Sequence, residues 1–322
     1  MHLHFISPID PKHFRSSPIA SERLRLSFVE EAAKQNGYKI TGGSSINSSA
    51  DIIYISKITE DMQKSILQLI KTIKNLPITI LVDYTDDILD SSFDDERLKI
   101  YEELIKINSI FVVPVEGLSK KLEKRGKKTF VIPDGIDKIP TIKPSNKHND
   151  KINILWNGHS SNIKSLLRVI SNDLIDFSYN LHIVSNPTSF QILKEAKLKN
   201  IPKCKLIGHI WSISKLQYIS KNCDLAILPS DKIWASANRL VTNFRLGLPV
   251  IAETINSYEP YSDYYCSFEK EDVSDMFRSQ EKWYGLVQHA QKKTQEDFNN
   301  ERLVSLWRGL FNNILKKSMG LN

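Results

Sequence analysis

The sequence predicts an α/β protein made of two parallel-sheet domains, and three observations carry that expectation. Apolar runs of strand length alternate with stretches of helical periodicity. The alternation halts at a polar, proline-bearing stretch, residues 140–150, and then starts afresh. The chain also has 322 residues, whereas single cores usually stop growing near ~250.

Residues 3–6 open the first half as a strand. Residues 21–35 follow as an amphipathic helix, with Ser21 as its expected N-cap, Leu24, Phe28 and Ala32 on one face and Gly37 just past its end. Residues 51–55 form a continuous apolar run, as in a strand buried on both faces. Helices over 59–75, 93–107 and 118–125 then alternate with strands over 78–82, 109–113 and 129–132, completing a domain over residues 1–140. Such alternation implies right-handed crossovers in a parallel sheet. The second domain, 151–300, has expected strands at 152–156, 179–184, 204–207, 225–228 and 249–252. Helices are expected at 162–169, 188–197, 214–221 and 238–246. Residues 271–317 read as helical throughout. Their stripe of Leu303, Trp307, Leu310, Phe311 and Ile314 suggests that the last helix, about 300–322, returns to pack on the first domain.

Composition narrows the class. A hydrophobic fraction of 41% and a charged fraction of 25% are those of a globular protein. No run approaches the roughly 20 apolar residues of a membrane span. The opening residues carry neither a basic region nor a cleavage site, so a cytoplasmic protein is expected. Cys204, Cys223 and Cys266 are odd in number and too dispersed for a zinc knuckle, so they read as small hydrophobes. Residues 1–140 hold 20 basic and 20 acidic side chains, and residues 141–322 hold 24 and 17, so the net +7 belongs to the second half. That excess suits an anionic ligand. No nucleic-acid motif accompanies it, nor aromatics interleaved with the basic residues, so nucleic acid is not expected as a partner.

In open parallel sheets ligands sit beyond the carboxyl ends of the strands. After the first strand comes a long polar loop with His13 and Arg15, leading into a helix that opens Glu22-Arg23-Leu24-Arg25. Arginines near a helix start oppose its dipole, so Arg15, Arg23 and Arg25 are expected on the acceptor or phosphate side. Asp83-Tyr-Thr-Asp86-Asp87 follows the third strand. Asp86 could orient a hydroxyl or act as a base, or merely start the next segment. In the second half, Trp156-Asn157-Gly158-His159 leads toward Lys164. There a glycine admits a ligand to the backbone, and a helix start suits phosphate. The segment 228–252 reads as strand, loop, helix, glycine cap and buried strand. Lys232, Ser236 and Arg239 crowd donors around the helix start, with Asn238 as its expected N-cap.

This last segment resembles the nucleotide-binding region of the two-domain group-1 (family 4) glycosyltransferases, ending here in Leu246-Gly-Leu-Pro-Val-Ile-Ala252. Ala20-Ser-Glu-Arg-Leu-Arg25 with Gly37-Tyr-Lys-Ile40 is similar to that family's opening helix and second strand. Val131-Ile-Pro-Asp-Gly-Ile-Asp137 is similar to its signature before the interdomain linker. The resemblance implies a GT-B fold, two Rossmann-like domains facing across a cleft, and transfer of a sugar from a nucleotide-diphosphate donor. The acceptor would be a glycan or a lipid-linked molecule of surface polysaccharide or glycoconjugate synthesis. It implies donor binding by Gly158, His159, Lys164, Lys232, Ser236, Asn238, Arg239 and Thr242, with no metal and no cofactor. Asp86 and His13 are the catalytic candidates if the reaction inverts. Where the family has an arginine after Gly158 this chain has His159, and two family glutamates are replaced by Trp234 and Thr242. Those departures keep two alternatives open: a non-catalytic nucleotide-sugar-binding protein, and an epimerase or hydrolase on the same frame. A basic stretch, residues 120–128, is the expected contact if the protein visits an anionic membrane.

Overall fold

The computed structural model describes residues 1–17, 19–73, 77–89, 95–144, 151–174, 177–196, 203–268, 273–278 and 280–318. The first half runs β1 (His2–Ile6), α1 (Ser27–Gln35), β2 (Lys39–Gly43), β3 (Ile52–Ile55), α2 (Gln63–Ile73), β4 (Thr79–Asp83), α3 (Asp95–Lys106), β5 (Ser109–Val113), α4 (Glu116–Glu123) and β6 (Lys128–Val131). The second runs β7 (Ile152–Asn157), α5 (Ile163–Asn172), β8 (Tyr179–Ser185), α6 (Pro187–Glu195), β9 (Cys204–Ile210), α7 (Ile213–Ser220), β10 (Leu225–Leu228), α8 (Asn238–Arg245), β11 (Val250–Ala252) and β12 (Cys266–Ser267). Three helices follow, α9 (Val273–Arg278), α10 (Gln280–Asp297) and α11 (Asn300–Ser318).

The chain divides into two compact units, Met1–Gly135 with Phe298–Asn322, and Ile136–Asp297. Each holds one six-stranded parallel sheet, in the orders β2-β1-β3-β4-β5-β6 and β12-β11-β10-β7-β8-β9. These are two Rossmann-like domains. The apolar run of β3 is fully buried at the middle of the first sheet, as continuous hydrophobic strands of parallel sheets are. In the first unit α11 closes the core: Leu303, Val304, Trp307, Leu310, Phe311 and Ile314 pack with Phe28, Val29 and Ala32 of α1.

Four expectations need correction. The helical stretch 271–317 is interrupted at residues 298–299, where the chain leaves the second unit. Asn299 makes that break a helix start, since its Oδ1 accepts from Glu301 N at 2.8 Å. Ser21 is not an N-cap. It is already helical, at φ −60° and ψ −36°, because Arg23 N closes onto Ile19 O at 3.1 Å. A π-helical turn, Glu22–Leu26, then precedes α1. Asn238 is likewise inside its helix, because Val241 N bonds Ala237 O at 3.0 Å and makes Ala237 the cap residue. Finally, the start of the expected linker is not free chain. Ile142 N donates to Arg245 O at 2.7 Å, and Gln291 Nε2 donates to Ile142 O at 2.8 Å. Residues 145–150 of that linker lie outside the described residues.

Candidate functional site

In the second unit β7 pairs with β8 on one side and with β10 on the other. The chain therefore reverses its direction of winding at β7, and the crevice beyond the carboxyl ends of β7 and β10 is where such a sheet takes a ligand. Asn157 ends β7, and its Oδ1 accepts from Asn243 Nδ2 at 3.0 Å, which ties α8 to that crevice. Gly158 follows. A Cβ there would stand 2.8 Å from Cζ2 of the buried Trp156 indole, so the strand end admits no side chain.

The two helix starts at this edge differ. The short 3-10 turn before α5 consumes its own amides: Ser160 N donates to Asn186 Oδ1 at 3.0 Å, and Ser161 N donates to His159 Nδ1 at 3.3 Å. His159 thus caps a turn through Nδ1. Lys164 is exposed one residue into α5. At α8, by contrast, no side chain caps the helix. The amides of Asn238, Arg239 and Leu240 precede its first backbone bond, and Ser236 Oγ lies a long 3.4 Å from Asn238 N. Arg239 is half-buried, with Nη1 inaccessible and without a hydrogen-bond partner. Lys232 is exposed in the preceding loop, and Thr242 is buried one turn further on. The nearby carboxylates are spoken for. Arg168 pairs with Glu253, and Ser165 Oγ donates to Asp231 Oδ2 at 2.6 Å. The start of α8 therefore presents uncompensated donors and positive charge.

The first unit uses its candidates differently. Arg25 is not on a ligand-facing side: it is 1% exposed, with Nε 2.7 Å from Asp83 Oδ1 and Nη1 2.8 Å from Asp134 Oδ1 and 2.9 Å from Ile132 O. Its guanidinium also lies over the Trp307 ring at 5.6 Å. A buried pair explains what the helix dipole could not. Arg23 Nη1 donates to Ser17 O at 2.7 Å, and Arg15 pairs with Glu31. His13 is exposed on a 3-10 turn, Pro11–Ser16, capped by Asp10. Asp86 pairs with Lys57 at 2.5 Å. Sequence reasoning passed over Glu22. It is buried at the carboxyl edge of β1, and Ser17 Oγ donates to its Oε2 at 2.6 Å. Burial pushes this carboxyl up, against the hydroxyls of Ser17 and Ser7. The basic stretch 120–128 is partly spent, because Lys121 pairs with Asp87 and Lys127 Nζ donates to Ile107 O at 2.9 Å. It leads into the start of β6, at the amino edge of the sheet, away from the carboxyl edge that holds Glu22. Among the described residues no group of three His, Cys, Asp or Glu could hold a metal, and no helix is long and apolar enough to cross a membrane.

No family model matches the chain, and no curated protein does. Solved structures do. HepE from Anabaena, in complex with UDP and glucose, superposes with a TM-score of 0.67 at 12% identity, over 98% of this chain and 100% of its own. Sucrose-phosphate synthase from Thermosynechococcus elongatus gives 0.67 at 11% identity, over 98% and 99%. A glycosyltransferase from Rickettsia africae gives 0.52 at 15% identity, over 91% and 87%. The fold is GT-B. At such identities the likeness is one of fold, and the residues of this GT-B chain have to speak for themselves. Asn157 and Asn243 join the edge of β7 and α8, and Tyr258 lies on the turn after β11 that is bonded to the loop before α8, without any of the three having been singled out in the sequence. Asn157 stood inside the motif that drew attention to Gly158, and Asn243 lies one helical turn from Arg239. Tyr258 follows β11 with no spacing that marks it.

Proposed function

We propose that the protein is a glycosyltransferase whose second unit binds the diphosphate of a nucleotide-sugar donor and whose first unit receives a glycan or lipid-linked acceptor. The observation that carries this reading is the uncapped start of α8 at the winding reversal, with an Arg239 guanidinium nitrogen that has no partner. A diphosphate would supply the acceptor that this nitrogen lacks. As the glycosidic bond to the leaving diphosphate breaks, negative charge grows on the phosphate and positive charge on the sugar. Fixed donors aimed at the phosphate lower that barrier. Arg239, Lys232 and the first amides of α8 fill this role in the proposal, with Lys164 contributing from α5, so that no metal is needed. Crystals of HepE contain UDP, glucose and UDP-glucose, which supports a nucleotide-sugar as the donor class.

The test is transfer itself. The protein is incubated with uridine, guanosine, adenosine and thymidine diphosphate sugars and with glycan or lipid-linked acceptors, in EDTA. Glycosylated acceptor and released nucleoside diphosphate are then measured together. The proposal expects equal amounts of both for at least one donor. Free sugar or an isomer formed without acceptor would instead mean a hydrolase or epimerase. Donor binding without turnover would mean a binding protein, a reading favoured by Trp234 and Thr242 standing where carboxylates were expected.

A further inference from the structure

Tyr258 sits on the 3-10 turn Asn256–Tyr264 that follows β11, and it is completely buried. Its ring is packed edge-on against Tyr265, with centroids 5.9 Å apart. Its hydroxyl, however, has no hydrogen-bond partner. The turn is fixed to the loop that precedes α8: Asn256 N donates to Ile233 O at 3.3 Å, and Ser257 Oγ donates to Ala235 O at 2.5 Å. This anchoring carries Tyr258 to Arg239, whose charge acts on the phenol and opposes the effect of burial on it. Two donors without acceptors, one on a tyrosine and one on an arginine, therefore share a corner of the second unit.

A phenylalanine would fill the same space without stranding a hydroxyl, and an unsatisfied buried hydroxyl destabilises a fold. An acceptor that enters from outside resolves both orphans at once. It needs lone pairs for two donors and a negative charge to meet the guanidinium. A phosphate oxygen has both.

We infer that Tyr258 is a ligand-binding residue, whose hydroxyl donates, together with the Arg239 guanidinium, to a phosphate oxygen of a nucleoside diphosphate at the start of α8. This inference rests on the donor reading above and adds to it a residue that no charge pattern reveals.

Full-length wild type, Tyr258→Phe, Arg239→Ala and the double variant are titrated calorimetrically with uridine, adenosine and guanosine diphosphates, and are melted without ligand. Tyr258→Phe should melt no lower than wild type. It should bind the preferred diphosphate about tenfold more weakly, a difference of ~1.4 kcal/mol. In the Arg239→Ala background the same substitution should cost less, because the two donors share one oxygen. If wild type binds a diphosphate and Tyr258→Phe binds it equally well, this inference falls while the donor reading stands. A Tyr258→Phe protein that melts lower without ligand would show that the hydroxyl is satisfied within the fold, and would also overturn it. Wild type that binds none of the three removes both readings.

Discussion

Of the donors around the start of α8, Arg239 is half-buried with a stranded nitrogen, whereas Lys232 is exposed. Solvent competes for the lysine more than for the arginine, so their removal should differ in cost. Arg239→Ala should weaken nucleoside-diphosphate binding by about 1.5–3 kcal/mol, the range for hydrogen bonds to charged groups, and Lys232→Ala by less. Calorimetric titration of both folded variants checks the order, and equal losses would contradict it. Asp83 poses a different question in the first unit. Burial pushes its carboxyl up to about 6, against the pull of Arg25 and with the help of the Asp134 charge. Its ordinary value is 3.8, so the folded state holds this proton more tightly than the unfolded state does. The stability it contributes is complete below about pH 4 and is lost as pH rises through about 6. Relative to Asp83→Asn, wild type should therefore lose unfolding free energy between those pH values and hold level above them. Urea titrations of both proteins across that window measure it, and a constant difference would refute the assignment.

Among the elements, α11 shows how much of the fold the sequence displays. Its apolar stripe is plain at three- and four-residue spacing, and those side chains do form one buried face. What periodicity could not show is the break at Phe298–Asn299, since helix-compatible residues lie on both sides and the change of unit is a tertiary fact. Trp307 is 1% exposed, and its ring meets Tyr54 of β3 at 5.9 Å. Trp307→Ala should cost about 3–5 kcal/mol, the range for large aromatic truncations in cores. Denaturant unfolding of the variant checks this, and a loss below 1 kcal/mol would mean that α11 is not part of the core. The candidate site was less legible than the strands. Gly158, Lys232 and Arg239 stand out by type and position. Arg25 misled, because a charge at a helix start reads the same whether its partner is a ligand or two buried aspartates distant in sequence, one ending β4 and one after β6. Asn243 and Tyr258 matter for hydrogen bonds made or missing, which only the folded chain reveals.

At the scale of the whole molecule, the net +7 divides almost evenly between the units once α11 is counted with the first: residues 136–297 carry 21 basic and 17 acidic side chains, a net +4, and residues 298–322 carry 4 and 1, a net +3. Net charge therefore does not choose between the units; the winding reversal and the unpartnered Arg239 nitrogen do, and they agree on where an anion belongs independently of likeness to other GT-B proteins. Ligands that bind only the folded state raise its stability, by about 2.7 kcal/mol at a hundred times the dissociation constant. The most direct test of the central claim is therefore a melting series of wild type and Arg239→Ala with nucleosides and their mono- and diphosphates. The account predicts that at least one nucleoside diphosphate raises the wild-type midpoint well above what its nucleoside does, and that Arg239→Ala loses most of that shift while melting normally without ligand. No shift with any diphosphate, or a shift that survives Arg239→Ala unchanged, would contradict it.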